Sequence, residues 1–269
     1  MKKTILITGA TDGIGLETAK MLAAQGHHLL IHGRNSTKLS NVKQLLIELS
    51  SANNVESYVA DLSVLSDVEL FSDAVIAKHK KIDVLINNAG VSGVSQITSV
   101  DNLDTRFVVN TLSPYLLTQR LLPFLDKSGR VVNLSSAAQS TVDFTALIRP
   151  NEHVADGQIY AQSKLAITMW SFYLADLLKD KGLVIVAVNP ASFLGSKLVK
   201  EAYGIDGNDL KIGADILCRA ALSEEFANAS GQYFDNDSGQ FSAPHSDALN
   251  PAKNKRLVET IDQILSTKV

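Results

Sequence analysis

A chain of 269 residues with 45% apolar and 20% charged side chains can bury a full core and has ordinary globular composition. Its formal net charge of −3 provides no basic footprint for nucleic acid. No apolar stretch reaches the roughly 18 residues of a membrane span.

The basic start Met1-Lys2-Lys3 leads into the apolar run Thr4–Ile7, which ends in a glycine-rich stretch within a few residues. That run therefore reads as a first strand and not as a signal peptide. Thr8-Gly9-Ala10-Thr11-Asp12-Gly13-Ile14-Gly15 follows, then a helical pattern through Leu16, Ala19, Met21, Leu22 and Ala23 that stops near Gly26. Strand, glycine turn and helix make the first half of a nucleotide-binding unit. Gly9 would allow the tight turn, Gly13 would let backbone approach a pyrophosphate, and Gly15 would let helix and strand pack closely. The free N–H groups of the helix start would then face phosphates.

Further strands are expected at His28–His32, Val55–Ala60, Val84–Asn87, Arg130–Leu134 and Val184–Asn189, with Gln232-Tyr233-Phe234 as a short addition. Most are continuous apolar runs, as strands covered on both faces should be. Their alternation with helical patterns predicts an α/β fold, a doubly wound Rossmann-type parallel sheet with helices on both faces, in one domain over residues 1–269.

In such a unit an acidic residue near the end of the second strand takes the ribose 2′-OH of NAD. Gly33 stands there, followed by Arg34, with no Asp or Glu nearby. A guanidinium matches a 2′-phosphate in shape and charge. NADP(H) is therefore favoured over NAD(H). After the third strand, Asp61 precedes Leu62 and could cap the next turn. Asn87-Asn88-Ala89-Gly90 ends the fourth strand, where the small Ala89 and Gly90 would admit the cofactor close to backbone. A long helical pattern spans Asp101–Leu125, with Pro114 as a kink.

Ser135 and Ser136 end the fifth strand, and only one of them can point into a site. Between Ser136 and Tyr160 runs a polar segment with Phe144, Ile148, Arg149, Pro150, Asn151, Glu152 and His153. It could wall a pocket or cover the helix that follows. Tyr160 and Lys164 lie four residues apart, on one helical face. An ammonium beside a phenol favours the phenolate, which suits proton transfer near neutral pH. Apolar residues occupy more than one side of the pattern Tyr160–Lys181. Two readings stand: a deeply packed helix, or a subunit face that would make a homodimer or homotetramer. Gly195–Leu210 reads as a glycine-bearing flap. Cys218, the lone cysteine, lies in an apolar helical pattern and reads as a buried thiol of a cytoplasmic protein. Asp235-Asn236-Asp237 reads as a polar turn, and no metal site is expected.

Thr8–Gly15, Asn87–Gly90, Asn110, Ser136, Tyr160 and Lys164, in that order, resemble the short-chain dehydrogenase/reductase family from Lys3 to Asn189-Pro190. Ser230-Gly231-Gln232-Tyr233-Phe234 resembles the branch that includes retinol dehydrogenases. The resemblance implies an oxidoreductase acting on a carbonyl or alcohol substrate. It implies Tyr160 as acid/base, Ser136 as donor to the substrate oxygen, Lys164 on the nicotinamide ribose, and Asn110 as holder of a relay water. It further implies cofactor contacts from Thr11, Asp12, Ile14, Asp61, Leu62, Asn88, Pro190, Ser192 and Ser196. A non-catalytic NADP(H)-binding sensor is the rival function. Two departures from the family stand out. The Ser136–Tyr160 gap of 24 positions is long, and Ala191 follows Pro190 where glycine is common.

Overall fold

The computed structural model describes residues 1–50, 54–150 and 153–268, the side chains of residues 202 and 203 excepted. Asn151 and Glu152 of the long segment thus lie outside the described residues. The chain runs β1 (Thr4–Ile7), α1 (Gly13–Ala24), β2 (His28–Gly33), α2 (Ser36–Ser50), β3 (Val55–Val59), α3 (Leu65–Lys78) and β4 (Ile82–Asn87). Next come α4 (Thr105–Phe107), a π turn (Val108–Leu112), α5 (Ser113–Leu121) and β5 (Leu125–Leu134). Then α6 (Phe144–Ile148), α7 (Asp156–Leu177), β6 (Val184–Asn189), α8 (Lys197–Tyr203) and α9 (Leu210–Leu222). The hairpin β7 (Tyr233–Asp235) and β8 (Gln240–Ser242) precedes α10 (Pro251–Lys268).

The strands form one sheet in the order β3-β2-β1-β4-β5-β6-β7-β8. Every pairing is parallel except β7 with β8. Strand alternation divides the core into two layers. Leu6, Leu85 and Val131 face a layer shared with Phe107, Leu117 and Trp170, while Ile5, Ile7 and Ile86 face Leu22 and Leu217 on the other side. This is the doubly wound α/β arrangement expected from the sequence. The first and sixth strands keep the expected bounds, and the others move by a few residues at their ends.

The expected helix Asp101–Leu125 is shorter and broken. It begins at Thr105, where the Asp104 side chain accepts from Arg106 N. At Ser113 the N–H reaches back five residues to Val108 O, so the helix widens into a π turn just before Pro114, which offers no N–H.

Most of the apolar surface of α7 is used within the chain, Leu177 at its end being exposed. α10 packs along it. Trp170 is fully buried with Tyr115 edge-on at 5.6 Å, and Tyr115 donates to Asp262 of α10 at 2.8 Å. α6 joins this cover, its Phe144 ring lying 4.4 Å from the Arg256 guanidinium. The long Ser136–Tyr160 segment thus starts at the C-terminal end of β5 and turns outward to α10. Val142, Ala146 and Leu147 are its buried anchors.

Candidate active site

The C-terminal strand ends gather the chemistry. At the glycine turn, Asp12 caps α1 by accepting from Gly13 N at 2.8 Å. A Cβ on Gly15 would lie 2.2 Å from Gly9 O and 2.4 Å from Asn88 Nδ2, so only glycine lets the helix come this close. A Cβ on Gly13 would lie at van der Waals distance, 3.7 Å, from Ser196 Cβ, so the α1 start and Ser196, the N-cap of α8, are close neighbours. Two helix N-termini therefore border one space, a setting that suits a pyrophosphate. Thr11 packs on Gly33, where any Cβ would meet Thr11 Cγ2 at 2.5 Å. A carboxylate side chain at that position would have to displace the Thr11 side chain. Arg34 beyond it is exposed and makes no ion pair among the described residues.

Asn88 acts mainly as a latch. Its Nδ2 donates to Thr8 O at 2.8 Å and Gly9 O at 3.1 Å, tying the glycine turn to the end of β4. Thr8 Oγ1 accepts from Asn88 N and Ala89 N, both at 3.1 Å. Asn87 starts a buried chain: it donates to Asn133 Oδ1 at 2.8 Å, and Asn133 donates to Ser171 Oγ at 2.8 Å. Asp61 does cap its turn, its Oδ1 accepting from Ser63 N at 2.9 Å and Ser63 Oγ at 2.7 Å. Leu62 is buried, and its carbonyl accepts from Ser113 Oγ at 2.6 Å.

Tyr160 is half-buried on α7, and Lys164 Nζ lies 5.7 Å from its ring centroid. Lys164 is buried and donates to Leu134 O at 2.7 Å. Burial lowers its pKa to about 8. Gly90 leaves room beside it: a Cβ there would be 3.3 Å from Lys164 Nζ and 3.4 Å from Asn110 Oδ1. Asn110 sits in the π turn. Its Oδ1 accepts from Val91 N at 2.8 Å, and its Nδ2 donates to Val91 O at 2.8 Å and Ser163 Oγ at 2.9 Å. The amide is committed to the scaffold, so any water it holds would sit on its backbone carbonyl.

The two serines divide as strand geometry requires. Ser135 is buried, with Oγ against Thr168 Oγ1 at 2.7 Å and donating to Lys164 O at 3.1 Å. Ser136 is half-buried, and its Oγ accepts from Ala138 N at 3.1 Å, leaving its proton for another acceptor.

After β6, Ala191 adopts φ +112° and Phe193 φ +52°. Asp237 holds this turn. It accepts from Ser192 N at 2.7 Å, Ser192 Oγ at 2.6 Å and Asn189 Nδ2 at 2.9 Å. Ser192 is thereby occupied by a carboxylate. Pro190 is buried, its carbonyl accepting from Asn236 Nδ2 at 3.0 Å. The 195–210 flap closes on itself through Gly195 N to Asn208 O at 2.7 Å and Asn208 N to Phe193 O at 2.6 Å.

Two supporting residues escaped the sequence reading. His32 accepts from Gly9 N at 3.3 Å through Nδ1, which places its proton on Nε2 facing Ala60 O at 3.1 Å. Burial drives its pKa down to about 4, so it stays neutral. A histidine inside an apolar strand was the available signal. Arg106 is fully buried. Its Nε and Nη2 donate to Asp104 at 2.9 and 2.6 Å, and Nη1 donates to Asp156, the first residue of α7. Arg106 precedes Asn110 by one turn, as Asp156 precedes Tyr160, so the ion pair fixes the approach of the two elements.

A parallel sheet with a glycine turn and a Tyr–Lys pair at its C-terminal edge defines a nucleotide-binding α/β protein of the oxidoreductase type. Residues 3–203 match the family model described as short chain dehydrogenase. The chain belongs to the short-chain dehydrogenase family, near its retinol dehydrogenase-like branch. Bos taurus Retinol dehydrogenase 12 is 32% identical over 96% of this chain and 84% of its own. Homo sapiens Polyprenol dehydrogenase is 32% identical over 87% and 77%. A metagenomic short-chain oxidoreductase solved in complex with NADP has a TM-score of 0.63 and 27% identity, covering 81% of this chain and 90% of its own. An Escherichia coli CFT073 short chain dehydrogenase complexed with NADPH has a TM-score of 0.69 and 25% identity, covering 87% and 96%. No helix among the described residues is long and apolar enough to cross a membrane.

Proposed function

We propose that this chain is an NADP(H)-dependent oxidoreductase that interconverts a carbonyl and an alcohol, with Tyr160 as the general acid and base. The observation that carries the reading is the buried Lys164 ammonium beside the Tyr160 ring, 5.7 Å from its centroid. A desolvated cation next to a phenol lowers the cost of the phenolate, as proton exchange near neutral pH requires. The cofactor, when bound, supplies or accepts the hydride. In the reducing direction Tyr160 Oη donates a proton to the substrate oxygen, and Ser136 Oγ–H donates a hydrogen bond to that oxygen. Lys164 would hold the nicotinamide ribose hydroxyls. Asn110, clamped on Val91 and Ser163, would keep its carbonyl aimed at a water beside Lys164. Gly13, Ile14 and Ser196 would cradle the pyrophosphate. The filled space at Gly33 and the exposed Arg34 support NADP(H), as do neighbours solved with NADP or NADPH.

The test is turnover of NADPH on a panel of ketones, aldehydes and quinones. Tyr160→Phe should lower turnover by roughly 10²–10⁴ while NADPH still binds. A variant that keeps more than about a tenth of the wild-type rate would remove Tyr160 from the acid role. Cofactor choice is tested separately. Arg34→Ala should cut the preference for NADPH over NADH by about ten- to a hundred-fold, the worth of one charge-assisted contact of roughly 1.5–3 kcal/mol. Equal affinities in the wild type would overturn the assignment.

A further inference from the structure

At the other end of the sheet, three side chains far apart in sequence converge. His28 opens β2, Glu56 stands on the edge strand β3, and His79 caps the end of α3. Their ligand atoms lie within 4.8 Å of one another. We propose that His28, Glu56 and His79 bind a divalent transition-metal ion of the zinc type. The ion would clip β3 and α3 to the sheet, at the end remote from the glycine turn.

The geometry argues for the ion. In a tetrahedral zinc site, bonds of about 2.0–2.1 Å place neighbouring donors roughly 3.3 Å apart and two imidazole centroids about 5 Å apart. Here Glu56 Oε1 is 3.2 Å from His28 Nε2 and 3.3 Å from His79 Nε2. The two imidazole centroids are 5.4 Å apart in an edge arrangement. Two neutral imidazoles and one carboxylate suit zinc, leaving a fourth position for water. All three side chains are partly accessible, so an ion can enter.

The surroundings fit as well. Tyr58 donates to the second carboxylate oxygen, Glu56 Oε2, at 3.1 Å, which would orient Oε1 toward the ion. The same hydroxyl lies 3.2 Å from His79 Nε2; with its proton on Glu56 it can only accept there, so metal binding moves the His79 proton from Nε2 to Nδ1. Lys78 Nζ is 3.5 Å from Glu56 Oε2 and largely exposed. Its ammonium competes with a cation for that carboxylate and can swing into water. On binding, each imidazole carries its proton on Nδ1 and gives its Nε2 lone pair to the ion.

Zinc alone, titrated calorimetrically into the untagged full-length chain, tests this. Saturable 1:1 binding and a raised thermal midpoint are expected. Loss of an outer partner alone costs about 10–100-fold in metal affinity, so His28→Ala, Glu56→Gln and His79→Ala should each cost at least ten-fold. His245→Ala, remote from the cluster in sequence, should change nothing. Cobalt should give the visible absorption of a tetrahedral centre. Lys78→Ala is a surface change that leaves every ligand in place, and it should tighten zinc binding several-fold. No saturable binding by the wild type overturns the proposal, as does unchanged affinity in the three ligand variants. Should a ligand variant fail to fold, weaker or unaltered binding by Lys78→Ala decides against the site. None of these readouts involves NADPH or turnover, so they stand or fall apart from the oxidoreductase reading.

Discussion

Lys164 keeps an ammonium where water does not reach it, with a pKa held near 8 against a lysine's ordinary 10.5. Burial penalises the charged form, so the folded chain carries a cost at pH 7. That cost fades as pH rises from about 8 to 10.5, where the folded chain has already released a proton that the unfolded chain retains. Removing the charge should therefore stabilise the protein while it disables it. Lys164→Met is expected to raise the apo thermal midpoint by a few degrees, since about 1.4 kcal/mol attends each pKa unit and the loss of the donor to the Leu134 carbonyl offsets only part of it. Reductive turnover by the wild type should fall above about pH 8, as the ammonium that assists Tyr160 is lost. Calorimetric melting of the variant and a pH profile of the wild type check both. A melting point below that of the wild type would mean the hydrogen bond to Leu134 outweighs desolvation. The pairing of Tyr160 with Lys164 could be read because it is local, four residues on one helix. His32, Arg106 and Asp237 could not, because their value lies in partners that only the fold delivers. Arg106 and Asp156 are 50 positions apart, and Asp237 and Ser192 are 45 apart.

Among elements, the turn after β6 carries the clearest strain. Ala191 at φ +112° occupies a region that suits glycine, at a cost of order 1–3 kcal/mol. Asp235, Asn236 and Asp237 hold the turn there by hydrogen bonds to Asn189, Pro190 and Ser192. Ala191→Gly should thus stabilise the chain by about 1 kcal/mol, the relieved strain less the added freedom of the unfolded glycine. Urea unfolding would show it as a higher midpoint at unchanged slope. A lower midpoint would show that the alanine methyl packs usefully. The sequence marked this place as a departure without revealing which residues restrain it. Legibility varied with the source of order. β1 and β6 are apolar runs bounded by glycine or Asn-Pro, so pattern alone located them. β8, Gln-Phe-Ser at a sheet edge, has too little pattern of its own. It exists because β7 offers it a ladder. The π turn depends on how α4, α5 and α7 meet around Asn110, which no local propensity encodes.

For the whole molecule, the internal cover of α7 bears on assembly. A helix apolar on several sides can be satisfied by a second copy or by its own chain. Here α10 takes that surface, with α6 packed against α10, and Tyr115, Trp170 and Asp262 fix the seating. The chain is therefore expected to sediment as a monomer at micromolar concentration. Ile261→Asp should unseat α10, shift the emission of the single tryptophan to the red and promote self-association. A wild-type dimer with α10 still seated would place the subunit face elsewhere. The same cover sets an order of events during synthesis. When α7 leaves the ribosome, the helix that shields its Trp170 side has not been made. Until then the nascent chain presents a bare apolar stripe on α7, the kind of surface that chaperones hold and that neighbouring chains stick to. Damage to α10 should accordingly show first as a poor yield of folded protein in the cell, with the molecules that do mature turning over normally.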